Sequence, residues 1–518
     1  MNRNLASDLE LRAGSDPDAV CLTFEDGRSW TYAGLNSAGS ELAEVLARLA
    51  ERGRRVAVHL PNSPELVVTL LASWKAGLVP VVMSGLYNQA EVRKCLDQVR
   101  PAVVISTAGM AFGSEAREVA TAAVAQITAA NEGAGRSYPA AVMSSPAVET
   151  EDEGIVLFTG GTSGDPKAVS LTHAGTYTSM SNLVRAQKGR QGPLPTAGPE
   201  MPPNLLALPL FHGGGFQSML VAFHLGRSAL LIERFSVDRI ARLVPEYSVD
   251  NLFLLPTMIY DLVRTEPAPD LSSVRRVLVA GQRLDPMLQK DFETKYHVMV
   301  LTNYGSTELG HVAGWTGPDL KAGLWRPGAV GRVYDGVTLE IRDGLGNALP
   351  AGTPGEIWVK STRALGYVGA DATTAGDLLA DGWIRSGDMG YLDENRVLFL
   401  VGRSRELIKT GGFQVWPGEL EQVVRSVSGV ADVAVVGLPD PRLGEIPVAV
   451  VVPKEPYAGP EALEAAVIAH CREKLAHFKS IRKVLVVDSL PRSEVGKIRR
   501  DVVEATVRDS FGAAVEAS

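Results

Sequence analysis

Cysteine is scarce here: Cys21, Cys95 and Cys471 stand far apart in a chain of 518 residues. Such spacing builds neither a disulfide framework nor a thiolate zinc site. The 8 histidines are equally scattered, with no HxxxH or CxxC pair. Metal chemistry resting on His and Cys is thereby excluded, although a magnesium ion carried on phosphates needs neither. Positive charge is not in excess either. A formal net charge of -8 argues against a nucleic-acid binder relying on a broad basic surface. Long apolar runs are missing as well. "MNRNLASDLELRAGSDPDAV" has no apolar signal core, and Lys75 interrupts the longest apolar stretch, 66 to 83. No secretory leader and no membrane insertion are therefore expected, and a reducing cytoplasm is the expected home.

What is present is ordinary in bulk and specific in pattern. Hydrophobic content of 45% and charged content of 21% suit a globular protein, and the length implies two or more domains. "YAGLNSAGSELAEVLARLA" has helical spacing and is followed by the short strand pattern "RVAVHL". "ELVVTLLASWKAGLVPVVMS" and "ARLVPEYSVDNLFLLP" repeat that helix-to-strand order, which predicts open α/β layers with mostly parallel strands. Residues 129 to 150 lose periodicity and read as a surface connection. From about 330 to 400 the strands shorten and glycine turns multiply, as expected of a small β-subdomain. Past Arg403 a second α/β alternation begins, long enough for a separate domain.

Four stretches carry chemistry. "TGGTSGDPK" (Thr159, Gly160, Gly161, Thr162, Ser163, Gly164 and on to Lys167) follows the apolar run Ile155–Phe158. Glycines let successive N–H groups turn inward, hydroxyls add donors, and a lysine adds a point charge, a combination suited to phosphate. Pro166 separates the last glycine from Lys167, so this is not a Walker A loop. "TNYGSTELG" sets Thr307 and Glu308 beyond a strand pattern; a carboxylate beside a phosphate site suits Mg²⁺, and Tyr304 offers a flat face to a purine. Asp388, in a Ser-Gly-Asp turn, has the chemistry to accept both hydroxyls of a ribose, with Arg403 assisting. "LPRSEVGKIRRD" places Lys497 near the C-terminus. Each stretch alone fits a solvated loop equally well.

Together, and with "LPLFHGGG", "AGQRL" and "GRSRELIKTGGFQVWPGELE", their order resembles the adenylate-forming superfamily of acyl-CoA synthetases, luciferases and peptide-synthetase adenylation domains, from about residue 18 to 505. The resemblance implies a large N-terminal domain of layered α/β subdomains plus a β-subdomain, residues 1–403. It also implies a small mobile C-terminal α+β domain, residues 404–518, hinged near Arg405. It implies that ATP activates a carboxylate as an acyl-adenylate and that a thiol then takes the acyl group. The 159–167 loop would hold the β- and γ-phosphates. Gly281, Gln282, Arg283 and Tyr304 would enclose the adenine, with Asn303, Gly305 and Ser306 in the same nucleotide site. Thr307 would touch the α-phosphate, Glu308 would bind Mg²⁺, and Asp388 and Arg403 would hold the ribose. Lys497 would neutralise charge between carboxylate and α-phosphate. Gly411 and Gly412 would let a pantetheine arm pass, which favours coenzyme A as acceptor.

Departures from the family pattern are Gly160, Ala168, Thr302 and Arg405, each removing or changing a contact. His212 stands where amino-acid-activating relatives carry Asp, so an amino acid is disfavoured. His212, Gly213, Gly214, Gly215, Phe216, Gly310 and His311 are the expected pocket residues. The three consecutive glycines predict room for a bulky or long acid. Two alternatives remain: an enzyme performing mainly thioesterification of a preformed acyl-adenylate, and an acyl-AMP ligase that loads a carrier protein. A small-molecule carboxylic acid or its acyl-adenylate and coenzyme A are the expected partners, without nucleic acid, and a homodimer is the candidate assembly.

Overall fold

The computed structural model describes residues 3–106, 116–134, 138, 142–160, 166–188, 201–282, 284–369, 379–380, 382–410, 413–455, 459–493 and 496–511. The chain divides into two compact units. One comprises Met1–Thr159, Pro166–Leu339 and Val359–Arg385; the other comprises Gly160–Asp165, Glu340–Trp358 and Ser386–Ser518.

In the first unit the expected helix–strand order is present. Helix Tyr32–Leu49 precedes strand Arg55–His59, and helix Pro64–Lys75 precedes strand Val79–Val82. Thr31 and Ser63 cap the two helices through their side-chain oxygens, on the N–H groups of Gly34 and Leu66. These strands join a sheet ordered Ala364–Tyr367, Pro166–Thr172, Glu153–Gly160, Val79–Val82, Arg55–His59, Val103–Ser106, Arg117–Ala120. Its central strands run parallel and bury near-continuous Val, Ile and Leu, as covered parallel sheets do. A second set, Asn251–Leu254, Arg276–Val279 and Met299–Ser306, is also parallel, then continues antiparallel into Gly310–Gly314 and Gly331–Val333.

Lys75 does not break the apolar helix; it ends it inside the protein. Its ammonium group donates to Glu10 Oε1 at 2.8 Å and to the Met143 carbonyl at 2.5 Å. Glu10 also accepts from the Ser145 N–H and hydroxyl. The 129–150 segment, expected to lie on the surface, is therefore tied at Met143 and Ser145 to a buried ion pair. Among the described residues no helix is long and apolar enough to cross a membrane.

The second unit contains a sheet in which Gly444–Pro453 lies between Val430–Asp440 and Lys483–Val486. Alternation along Val433–Val436 divides its two faces. Val433 and Val435 pack under helices Pro417–Arg425 and Pro460–Lys474; Ala434 and Val436 pack under helix Arg500–Phe511. A hairpin, its strands running to Leu392 and from Val397, pairs Asp388 with Arg403.

Candidate active site

The described parts of the phosphate loop are its two flanking strands, since Gly161, Thr162, Ser163 and Gly164 lie outside the described residues. Gly160 closes strand Glu153–Gly160, and Thr159 donates its hydroxyl to the Lys167 carbonyl at 3.4 Å. Strand Ala364–Tyr367 pairs antiparallel with Pro166–Thr172 and brings Tyr367 beside Lys167. The Lys167 ammonium lies 5.3 Å from the centre of the Tyr367 ring, a cation–π contact. The hydroxyl of the same tyrosine donates to Glu308 Oε1 at 3.3 Å. One aromatic side chain thus joins the lysine expected to bind phosphate to the carboxylate expected to bind metal.

Glu308 lies in the turn of a β-hairpin between Met299–Ser306 and Gly310–Gly314. Ser306 Oγ accepts from the Leu309 N–H at 3.2 Å, and Gly310 takes φ +74, a left-handed value that suits glycine. The Thr307 carbonyl accepts from Arg363 Nε at 3.0 Å. No cluster of three or more His, Cys, Asp or Glu occurs among the described residues. A lone carboxylate beside a phosphate lysine suits magnesium, which keeps waters and takes most of its ligands from phosphate. Gly281, at φ +87, follows strand Arg276–Val279, with Gln282 next to it; Arg283 lies outside the described residues. Tyr304 is buried in its strand, while the Asn303 amide meets His311 Nδ1 at 3.0 Å.

His212 caps helix Gly213–Leu225, its Nδ1 accepting from the Gly214 N–H at 3.4 Å. The glycines that follow do not leave room. A Cβ on Gly213 would lie 3.1 Å from Thr307 Oγ1, one on Gly214 3.1 Å from Leu208 Cδ1, and one on Gly215 2.1 Å from the Pro209 carbonyl oxygen. Protein atoms already fill the space, so the triplet serves close packing of the helix start. Phe216 is fully buried, its ring centre 6.0 Å from that of Trp74. Two departures from the family pattern also have packing reasons. Ala168 is wholly buried between Val156 and Val368, and Thr302 donates its hydroxyl to the Val330 carbonyl at 2.8 Å.

Burial pushes the His311 imidazole down to about 3, and the Arg363 charge adds to the effect. His173, whose Nδ1 accepts from the Leu5 N–H, is pushed by burial to about 4 against the pull of Asp152. Both folded values lie below the ordinary 6.5, so the unfolded chain takes up these protons first. Their stability contribution is complete above pH 6.5 and is lost as pH falls toward 4 and 3. Each histidine is worth about 1.4 kcal/mol per pH unit in that window, or roughly 4 kcal/mol for the pair by about pH 5. Urea midpoints measured from pH 7 downward are expected to fall from about 6.5, and to fall less steeply in His173→Asn. A wild-type midpoint that stays level through this range would show that the histidines are not buried as neutral rings.

In the second unit Asp388 Oδ1 accepts from Arg403 Nε at 3.0 Å across the hairpin. Arg403 is largely exposed, so the pair adds little stability; its effect is to orient the carboxylate. Arg405 is exposed in a single helical turn, Ser404–Glu406. Gly411 and Gly412 lie outside the described residues. Lys497 is held by its backbone: its N–H donates to Ser493 Oγ at 3.2 Å and its carbonyl accepts from the Ser493 N–H at 2.7 Å. The preceding Gly496 has φ +74.

Sequence reading missed Tyr367, Arg363 and Gln217. The signal of the first two is faint: "STRALGY" sets the arginine just before, and the tyrosine at the end of, a short strand that reads as ordinary β-subdomain texture.

Known proteins resemble this chain over most of its length. Residues 9–368 match the AMP-binding enzyme family, and residues 419–497 match the AMP-binding enzyme C-terminal domain. The chain is 30% identical to 4-coumarate--CoA ligase 5 of Oryza sativa subsp. japonica, over 94% of this chain and 92% of that protein. It is also 30% identical to a methyl-dioxo-octahydro-indenyl propanoyl:CoA ligase of Mycobacterium tuberculosis, over 96% and 98% of the two chains. The crystal structure of ATP-bound MatB from Rhodopseudomonas palustris superposes with a TM-score of 0.86 at 27% identity, covering 99% of this chain and 100% of that one. Matched by both parts of this family, and 30% identical over most of its length to named CoA ligases, the chain is a member of the AMP-binding enzymes and, within them, an AMP-forming acid–CoA ligase.

Proposed function

We propose that the chain is an ATP-dependent acyl-CoA synthetase that adenylates a bulky or long carboxylic acid and passes the acyl group to coenzyme A. The observation that carries this reading is the Lys167–Tyr367–Glu308 bridge, which gathers an ammonium and a carboxylate beside Thr307. Attack by a carboxylate on the α-phosphate is electrostatically blocked until positive charge surrounds the reacting oxygens. Lys167 would bind the outer phosphates, Thr307 the α-phosphate, and Asp388 with Arg403 the ribose hydroxyls. Glu308 would hold magnesium, which when bound would supply charge neutralisation on the phosphates. The incoming carboxylate is itself the nucleophile, so no general base is needed in the first step. Residues 1–403 and 404–518 act as two domains that turn about Arg405 between the two steps. An exposed turn at Arg405 supports that placement, since a hinge residue must stay solvated in both states.

Support for a bulky acid comes from the relatives, whose names specify 4-coumarate and a substituted octahydro-indenyl propanoate. The thioesterification-only reading is weaker once Ala168 and Thr302 have packing reasons to differ and the Lys497–Glu308 set is complete. ATP–pyrophosphate exchange across a panel of aromatic, fused-ring and long-chain acids, followed by mass spectrometry of thioesters formed with free coenzyme A, tests the reading. Exchange with at least one bulky acid and a matching thioester is expected. Thioester formation from supplied adenylate without any exchange would establish the half-reaction enzyme instead. Exchange without a coenzyme A thioester would point to a carrier-protein acceptor.

A further inference from the structure

Arg363 is wholly buried, and among the described residues its guanidinium makes no ion pair. A buried cation without a carboxylate in contact is expensive to keep, by several kcal/mol in general terms. Its contacts are all to neutral acceptors. Nε donates to the Thr307 carbonyl at 3.0 Å, and the two terminal nitrogens donate to the Gln217 amide oxygen at 2.8 and 3.2 Å. The Gln217 amide nitrogen in turn donates to His311 Nε2 at 2.8 Å. Asn303 Nδ2 faces His311 Nδ1 at 3.0 Å, and Asn303 Oδ1 accepts from the Tyr334 hydroxyl at 2.8 Å.

The direction of this chain follows from its first member. A guanidinium can only donate, so Gln217 must turn its oxygen to Arg363 and its NH₂ to His311. That NH₂ competes with the Asn303 NH₂, which faces Nδ1, for the one acceptor nitrogen of the neutral ring. Arg363 therefore fixes which end of the Gln217 amide His311 meets. The same side chain fixes the carbonyl of Thr307, next to Glu308, the carboxylate whose charge it feels. Burial lowers the Arg363 guanidinium to about 10, with Glu308 opposing, so it stays charged at neutral pH.

We propose that Arg363 is a positioning residue of the adenylation site: one buried cation locks the Thr307–Glu308 turn directly and the Gln217–His311 wall through Gln217. This rests on the acyl-CoA synthetase reading, in which the turn serves ATP and magnesium and His311 borders the acid. The helix carrying Gln217 and the hairpin carrying both Glu308 and His311 are separate stretches of chain, and Arg363 bonds to each of them.

The two arms of the contact separate by mutation. Gln217→Leu cuts the histidine arm and leaves the Thr307 arm, so the KM for the acid is expected to rise about tenfold or more while the KM for ATP moves little. Arg363→Met cuts both, so the acid KM and the half-saturating magnesium concentration both rise, with exchange falling about 10–100-fold. Arg363→Lys keeps the charge but lacks the fork, and falls between the two. A separate readout is the ¹⁵N resonance of His311, identified by its loss in His311→Gln. In the wild type it reports a neutral ring, and in Gln217→Leu and Arg363→Met its tautomer balance shifts, because the NH₂ held against Nε2 is removed or released. If Arg363→Met does not fold, Gln217→Leu and Arg363→Lys carry the test. Folded variants with unchanged acid KM, magnesium midpoint and ¹⁵N signature, in an enzyme that is active as wild type, overturn the proposal. A wild type with no exchange on any acid would sink the functional reading instead, and the ¹⁵N shift would still decide whether Arg363 acts on His311 through Gln217.

Discussion

Lys497→Ala is expected to slow adenylation by about two to three orders of magnitude, the usual consequence of deleting one preorganised group from a site where charge builds up. Thioester formation from a supplied acyl-adenylate is expected to be nearly unaffected, because that step begins after pyrophosphate has left. The substitution removes an ammonium from a loop whose backbone is set by Ser493 and Gly496, so the loop itself should survive. ATP–pyrophosphate exchange and coenzyme A transfer, measured separately on the same preparation, give the two numbers. Equal losses in both would mean that Lys497 belongs to both steps and would contradict a turn about Arg405 between them.

The second large effect concerns stability. A Cβ on Gly305 would lie 1.9 Å from the Gly310 carbonyl oxygen and 2.9 Å from its carbon, both backbone atoms of the facing strand. Nothing flexible can give way, so Gly305→Ala must push the hairpin apart. The expected cost is about 3 kcal/mol, a fall of roughly 3 °C in the unfolding midpoint of a chain this large. Nucleotide binding is expected to weaken with it, because the displaced hairpin carries Thr307 and Glu308. Gly344→Ala is the control: open space surrounds its Cβ position, and it is exposed. Equal midpoints for the two variants would show that the hairpin is far more yielding than its backbone contact implies.

The large-scale fold is legible because its signal is local. Alternating helical and strand periodicity at 32–59 and 64–82 lies within short windows, and both helices and strands form as the spacing predicts. The site is legible in those parts that come as runs, such as the hairpin around Glu308 or the pairing of Asp388 with Arg403. Glycine-rich runs are harder to interpret, since a missing side chain looks the same whether a ligand or a neighbouring carbonyl needs the space. At Gly213–Gly215 it is the neighbours. Lys75 misleads in a related way, because the carboxylate that neutralises it sits 65 residues earlier, at Glu10. Arg363 and Tyr367 escape notice for the same reason: each acts on partners far away in sequence, and only the pairing of Ala364–Tyr367 with Pro166–Thr172 brings them near.

That pairing also bears on how the chain is made. Strand Pro166–Thr172 leaves the ribosome roughly 190 residues before the strand that covers its free edge. At typical synthesis rates the edge stays open for about 10–40 s, an invitation to pair with another nascent chain. Lys167, at the start of that strand, places a positive charge on the open edge throughout the wait. The side chain assigned to hold phosphate in the finished enzyme would thus also discourage misassembly before the enzyme exists.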